Sequence, residues 1–172
     1  MVKRKYKYLA GCLTVVLSVP CFSGIDELPE SLRPPEAYRQ LQTVHAKGDQ
    51  IYQCTLEQGQ YVWKVTAPDA ALYDDNGNIV GNHYAGPIWE YKAGSKVRGN
   101  VVAKVDKSAE GAISWLLLEV VEHNGAGFLA DVSYINRINT QMGLPPATPC
   151  GSNNPGAEKR SPYQADYVFY GK

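Results

Sequence analysis

The sequence predicts a single all-β domain, built as an antiparallel β-sandwich or a closed β-barrel and held by one disulfide. Three observations carry this. Short apolar runs follow one another along residues 41–172 with turn residues between them, and hardly any segment shows a 3.6-residue period. The 172-residue chain is short for two domains, and with 44% apolar and 20% charged residues it has an ordinary globular composition. Cys54 and Cys150 are the two cysteines well clear of the N-terminal segment, and the features of that segment place them where thiols pair.

The N-terminal segment, residues 1–24, reads as a secretory signal peptide. Lys3, Arg4, Lys5 and Lys7 precede the apolar run LAGCLTVVLSV, followed by Pro20, Ser23 and Gly24. The run is shorter than the roughly 20 residues a spanning helix needs, so no transmembrane anchor is expected. The expected location is therefore exported, periplasmic or secreted. A lipid anchor is the competing reading, because Leu9 to Cys12 resembles a lipobox; Cys12 comes too early to leave a membrane-inserting core before it, and Cys21 follows Pro20. Without this segment the chain holds 13 basic residues against 17 acidic ones, a net charge of −4. No basic run survives past residue 7, which argues against a nucleic-acid partner.

Residues 25–40 hold three prolines and scattered charge, and read as an extended arm laid over the domain. The domain itself is residues 41–172. QIYQCTLE and QYVWKVTAP form a hairpin around EQGQ, with Tyr61, Trp63 and Val65 on one face. Asn76-Gly77 marks a second hairpin. Asp74, Asn76 and Asn78 alternate like the start of a calcium loop, but Ile79 stands where glycine is needed and Ala85 where the bidentate glutamate belongs. SKVRGNVVAKV and AISWLLLEVVEH follow as strands. The second is nearly continuous in apolar character and is expected to be central and buried on both faces. After the NGAG turn, GFLADVSYINRI is a strand with Asp131, Ser133 and Asn136 facing outward. LPPATPC then carries Cys150 back to the body and GSNNPGAEKRS loops through solvent. YQADYVFYG closes the domain with Tyr163, Ala165, Tyr167 and Phe169 on one face, for about nine strands in all.

The chain completes no recognisable reaction, and the reading leans away from an enzyme. Gly125, Gly127 and Ala130 fit G-x-G-x-x-A, yet strand chemistry follows and no acid lies about 20 residues on, so no dinucleotide cofactor and no NAD-dependent dehydrogenase is expected. Ser114 lacks a nucleophile elbow, and the cysteines are expected to pair with each other. His45, His83 and His123 lie far apart in sequence, and no metal site is expected.

Polar chemistry is densest in GNHYAGPIWE, Gly81 to Glu90, where Gly81, Gly86 and Pro87 are expected to shape turns. His83, Tyr84, Trp89 and Glu90 combine flat apolar area with directional polar groups, which suits a carbohydrate or a small amphipathic ligand. The opposing reading puts Trp89 in the core and pairs Glu90 with Arg137. Trp63 and Trp115 are assigned to the core.

GDQIYQC, WKVTAPDAAL, GNHYAGPIWE, ISWLLLEV, YINRINT, the Pro145-Pro146 pair before Cys150, and YQADYVFY together resemble a domain-of-unknown-function family found in secreted bacterial and fungal proteins. The resemblance implies a fold unit and export rather than a reaction. The malate dehydrogenase label borne by some fungal members does not carry over, given the failed dinucleotide fingerprint. Family motifs single out His83, Trp89, Glu90, Arg137 and Thr140. In one place this chain departs from the family pattern, because the Arg-x-x-Thr segment is usually followed by paired glycines and here Met142 replaces the first, before Gly143.

The leading expectation is an exported binding module whose ligand surface gathers His83, Trp89, Glu90, Tyr134, Arg137 and Thr140. Glu90 and Arg137 would orient polar groups of the ligand and Trp89 would supply a stacking face. The alternatives are a small extracytoplasmic hydrolase using His83 as base with Glu90 or Asp166, and a structural envelope or surface protein lacking a concave pocket.

Overall fold

The computed structural model describes residues 28–172; the expected signal segment 1–24, with Cys12 and Cys21, lies outside the described residues. The described residues form eight strands: β1 (Arg39–Glu57), β2 (Gln60–Tyr73), β3 (Ile79–Tyr84), β4 (Ile88–Tyr91), β5 (Lys96–Val105), β6 (Trp115–Asn124), β7 (Tyr134–Met142) and β8 (Glu158–Gly171). Each runs antiparallel to the next, and β8 pairs back onto β1 from Arg39↔Gly171 to Gln53↔Glu158, so the sheet closes as a barrel and not a sandwich. Closure on this scale removes the unpaired edges that an open sheet would present along β1 and β8.

The period-2 alternation of the strands sorts side chains between the interior and the outside. Val44, Ala46, Leu72, His83, Trp89, Val97, Leu118, Ile135, Tyr163, Ala165, Tyr167 and Phe169 are buried. Glu90, Asn82, Lys47 and Gln164 alternate with them and reach solvent. One end of the barrel is sealed by the 3-10 segment Phe128–Asp131 between β6 and β7. Phe128 packs on Tyr91 and Phe169 with ring centroids 5.2 and 5.6 Å apart, and Leu129 and Val132 beside it are fully buried. Gly125 and Gly127 turn the chain into this plug, and strand β7 follows it, in place of the helix a dinucleotide site requires.

Hairpin chemistry follows the sequence closely. Gln58 and Gly59 both take positive φ in the two-residue β1–β2 turn. In the β2–β3 turn, Asp74 Oδ1 accepts from the backbone N–H groups of Asn76 and Asn78 at 3.0 and 2.8 Å, so this carboxylate holds the turn. Cys54 and Cys150 are bonded, with Cα atoms 5.5 Å apart. The bond fastens the long β7–β8 connection to β1, where Gly156 N–H donates to the Cys54 carbonyl and Trp63 Nε1–H to that of Thr148.

Several expectations are corrected. β1 starts at Arg39, well before QIYQCTLE: RQLQTVHAKGD pairs with β8 through a bulge between Gln40 and Gln42 and turns Val44 and Ala46 into the core. Strand β6 is not central, since a closed barrel has no middle. Leu117 and Leu118 are both buried, but Val121 to Asn124 are exposed. Asn136 faces away from the barrel axis yet is buried under the arm, its Nδ2 donating to the Leu32 and Leu116 carbonyls. The arm itself carries a 3-10 turn, Glu30–Leu32, with Leu28 and Leu32 buried. Trp63 and Trp115 are only partly buried, Trp63 opposite Cys54 under the Thr148 loop and Trp115 beneath the Lys107 ammonium at 4.4 Å from its ring.

Gly81 sits within β3 rather than in a turn. A Cβ there would lie 2.3 Å from the Glu90 carbonyl oxygen, so the close β3–β4 approach requires glycine. Met142, in the place of the family's first paired glycine, holds φ +58°, and Gly143 follows at +79°. The loop therefore holds a left-handed backbone at a residue with a side chain.

Candidate functional site

The β3–β4 hairpin is short, and its shortness opens the barrel. β2 pairs with β3 only from Ala70 to Tyr73, and β4 pairs with β5 only as far as Arg98. The outer parts of β2 and β5 therefore rise past the Gly86–Pro87 turn with no strand between them. A notch results, bordered by Val65 to Pro68 on one side and Val101 on the other, and it leads into a cavity of about 190 Å³. Its walls are inward side chains: His83 from β3, Trp89 from β4, Leu116 and Leu118 from β6, Arg137 from β7, Tyr167 from β8 and Gln50 from β1.

His83 and Trp89 are register partners on β3 and β4, so both point inward and stack, with centroids 4.2 Å apart and planes 15° from parallel. Tyr167 meets them edge-on at 4.9 and 5.3 Å. His83 Nδ1 lies 2.8 Å from the Ile88 carbonyl oxygen, which can only accept, so Nδ1 carries the hydrogen and Nε2 is left as an acceptor. Burial holds the His83 pKa down to about 3, and the Arg137 charge acts in the same direction. The ring is neutral at physiological pH.

Arg137 directs Nε and Nη2 to the Ser114 carbonyl at 3.1 and 2.8 Å. Among the described residues no carboxylate lies within ion-pair distance of its guanidinium, and neither Asp nor Glu lines the cavity. Two of the lining residues carry donors without partners among the described residues, Gln50 Nε2 and Trp89 Nε1, and both residues are under 5% exposed. Buried polar hydrogens are nearly always satisfied in folded proteins, so the two unmet donors set these cavity residues apart.

The structure thus brings together three of the six expected site residues. Glu90, next to Trp89 along β4, points outward, where the Tyr84 hydroxyl donates to it at 2.5 Å and Lys96 stands 4.0 Å away; it is not paired with Arg137. Tyr134 also faces outward and packs edge-on against Tyr38 at 4.8 Å. Thr140 donates from Oγ1 to the Ile113 carbonyl at 2.6 Å, a brace for the loop before β6. Gln50 and Tyr167 belong to the cavity and were not singled out. The alternation of YQADYVFYG puts Tyr167 on one face with Tyr163, Ala165 and Phe169, and that shared face is the signal for it; Gln50 precedes a β1–β2 register shift at Ile51/Tyr52 that hides its phase.

No carboxylate is hydrogen-bonded to His83 among the described residues, so the geometry of a His83 base with an acidic partner is not formed. Asp166 instead meets His45 Nδ1 at 2.7 Å on the outer surface, with Asp75 3.1 Å from Nε2 and Asn139 Nδ2 donating to Asp166 at 2.8 Å. These contacts, led by the Asp166 hydrogen bond, raise the His45 pKa. His123 reaches the Val132 carbonyl at 2.8 Å, and the three histidines do not converge.

A protein family described as Protein of unknown function (DUF3455) matches residues 75–171, which span β3 to β8 and include His83, Trp89, Arg137 and Tyr167. No curated protein and no solved structure matches the chain.

Proposed function

The chain belongs to the DUF3455 family, and from that premise we propose that it is a binding protein, exported from the cell, whose barrel takes a small amphipathic ligand through the notch between β2 and β5. The observation that supports this reading is an apolar cavity open to the surface, lined by two residues whose buried N–H groups have no partner among the described residues and by one guanidinium with no carboxylate beside it. Ligand pockets are mostly apolar with a few placed polar groups, and this one has that balance. A purely structural role would call for no concave pocket.

Size narrows the ligand. A cavity of about 150 Å³ accommodates one benzene-sized molecule, so about 190 Å³ suits a single small ring or a short chain with one polar group. A long oligosaccharide has no groove to follow. Val65 and Val101, about half exposed at the rim, favour an apolar portion of the ligand at the entrance.

The test is blocked access. Val101→Trp places a large side chain at the rim of the notch, on a residue already 46% exposed, and should leave the fold intact. Small aromatic and aliphatic probes should raise the melting temperature of the wild type and leave that of Val101→Trp unchanged. Equal shifts in both proteins would place binding elsewhere.

A further inference from the structure

We propose that the ligand of this cavity is a compact carboxylic acid, bound as its anion with the carboxylate at Arg137 and its apolar body against Leu116 and Leu118. The proposal deepens the binding reading and rests on it.

Both buried side-chain atoms without partners on residues of the cavity wall are donors, while His83 Nε2 is an acceptor. Gln50 Nε2 and Trp89 Nε1 are buried and unpartnered among the described residues, and Arg137 brings the formal charge. The Ser114 carbonyl accepts from Arg137 but cannot neutralise it. A guanidinium facing a largely apolar cavity with no anion beside it is costly to maintain, and its planar fork matches a carboxylate better than any neutral acceptor. His83 adds no second positive charge, because its Nδ1 hydrogen is engaged by Ile88 and its ring is neutral. A cationic ligand would meet Arg137 with no acid on the wall to offset it. One positive charge, donors around it and an apolar remainder describe the complement of a monocarboxylate with a body of about one ring.

Benzoate, benzamide and benzylamine share that body and differ in charge, so they separate the two claims. Each is titrated by calorimetry into the full-length, oxidised protein. Benzoate should bind at least tenfold more tightly than benzamide, with benzylamine weakest. In Arg137→Gln the benzoate preference should vanish while benzamide affinity stays within about threefold. Because that variant removes a brace to the Ser114 carbonyl and could fail to fold, the ligand series on the wild type decides by itself. Benzamide binding as tightly as benzoate, or benzylamine binding best, would overturn the carboxylate assignment and leave the cavity as a binding site. Benzoate binding undiminished in Val101→Trp would overturn it too, by moving the site. If none of the three binds at millimolar concentration, the carboxylate assignment and the binding reading fall together.

Discussion

His83 should make the protein acid-sensitive by an amount that follows from its burial. Folded, the ring is neutral with a pKa near 3, depressed first by desolvation and then by the Arg137 charge. Unfolded, it titrates near 6.5. Between these two values the unfolded chain binds a proton that the folded chain does not, so stability falls as pH drops below 6.5 and the loss is complete only near pH 3. At pH 5.0 the folded site is still unprotonated, and the loss is about 1.5 pH units at roughly 1.4 kcal/mol each, or about 2 kcal/mol. His45 acts with the opposite sign: its raised pKa contributes stability below 6.5 that disappears as pH rises through the folded value. A variant that lacks only His83 cancels that contribution. Urea denaturation of the wild type and of His83→Asn at pH 7.5 and 5.0 supplies the comparison. Going to pH 5.0, the wild type should lose about 2 kcal/mol more than the variant. Identical pH dependences, or a His83 resonance titrating near 6.5 in the native state, would refute the buried neutral ring.

Three further outcomes can be checked. Met142→Gly should stabilise by about 1 kcal/mol in chemical denaturation, since a half-exposed side chain at φ +58° gives way to the residue that backbone favours; a destabilised variant would show that the Met142 side chain contributes packing that its exposure conceals. Trp89→Ala, emptying a site 1% exposed at the centre of the aromatic stack, should cost about 3 to 5 kcal/mol and lower the melting temperature markedly. Reducing Cys54–Cys150, which closes a 96-residue separation, should cost at most about 4 to 5 kcal/mol, read as a shift in urea midpoint with and without reductant.

Much of the fold was legible because strand chemistry in this chain is local. The Asn76-Gly77 and Gln58-Gly59 turns announce their hairpins, and alternation in YQADYVFYG sorts Tyr163, Ala165, Tyr167 and Phe169 inward as the structure has them. Closure was not legible, because pairing β8 with β1 joins residues over a hundred positions apart and leaves no local mark. The same limit explains β1: its first half looks like loop until β8 pairs along it. Trp115 is only partly buried because its phase in β6 is opposite to that of Leu116 and Leu118, and Trp63 because it stands near the free end of the β1–β2 hairpin; aromatic character alone marks neither.

The site was half legible for a related reason. GNHYAGPIWE is the hairpin that borders the cavity, but a strand pair offers alternate residues to opposite faces, so His83 and Trp89 go to the cavity while Glu90 goes to solvent. Arg137 joins them only through barrel closure. Two features of the hairpin matter beyond its side chains: Gly81 lets β3 and β4 approach, and the early turn at Gly86-Pro87 creates the notch.

The most direct test of the cavity as a ligand site follows the Trp89 indole N–H by nuclear magnetic resonance while benzoate is added to the full-length, oxidised protein. That hydrogen is buried, belongs to a residue that lines the cavity and has no partner among the described residues. A saturable shift of this signal, absent in Val101→Trp, is the predicted result. An indole signal that stays fixed while benzoate binds, or that shifts equally in the blocked variant, would contradict the account.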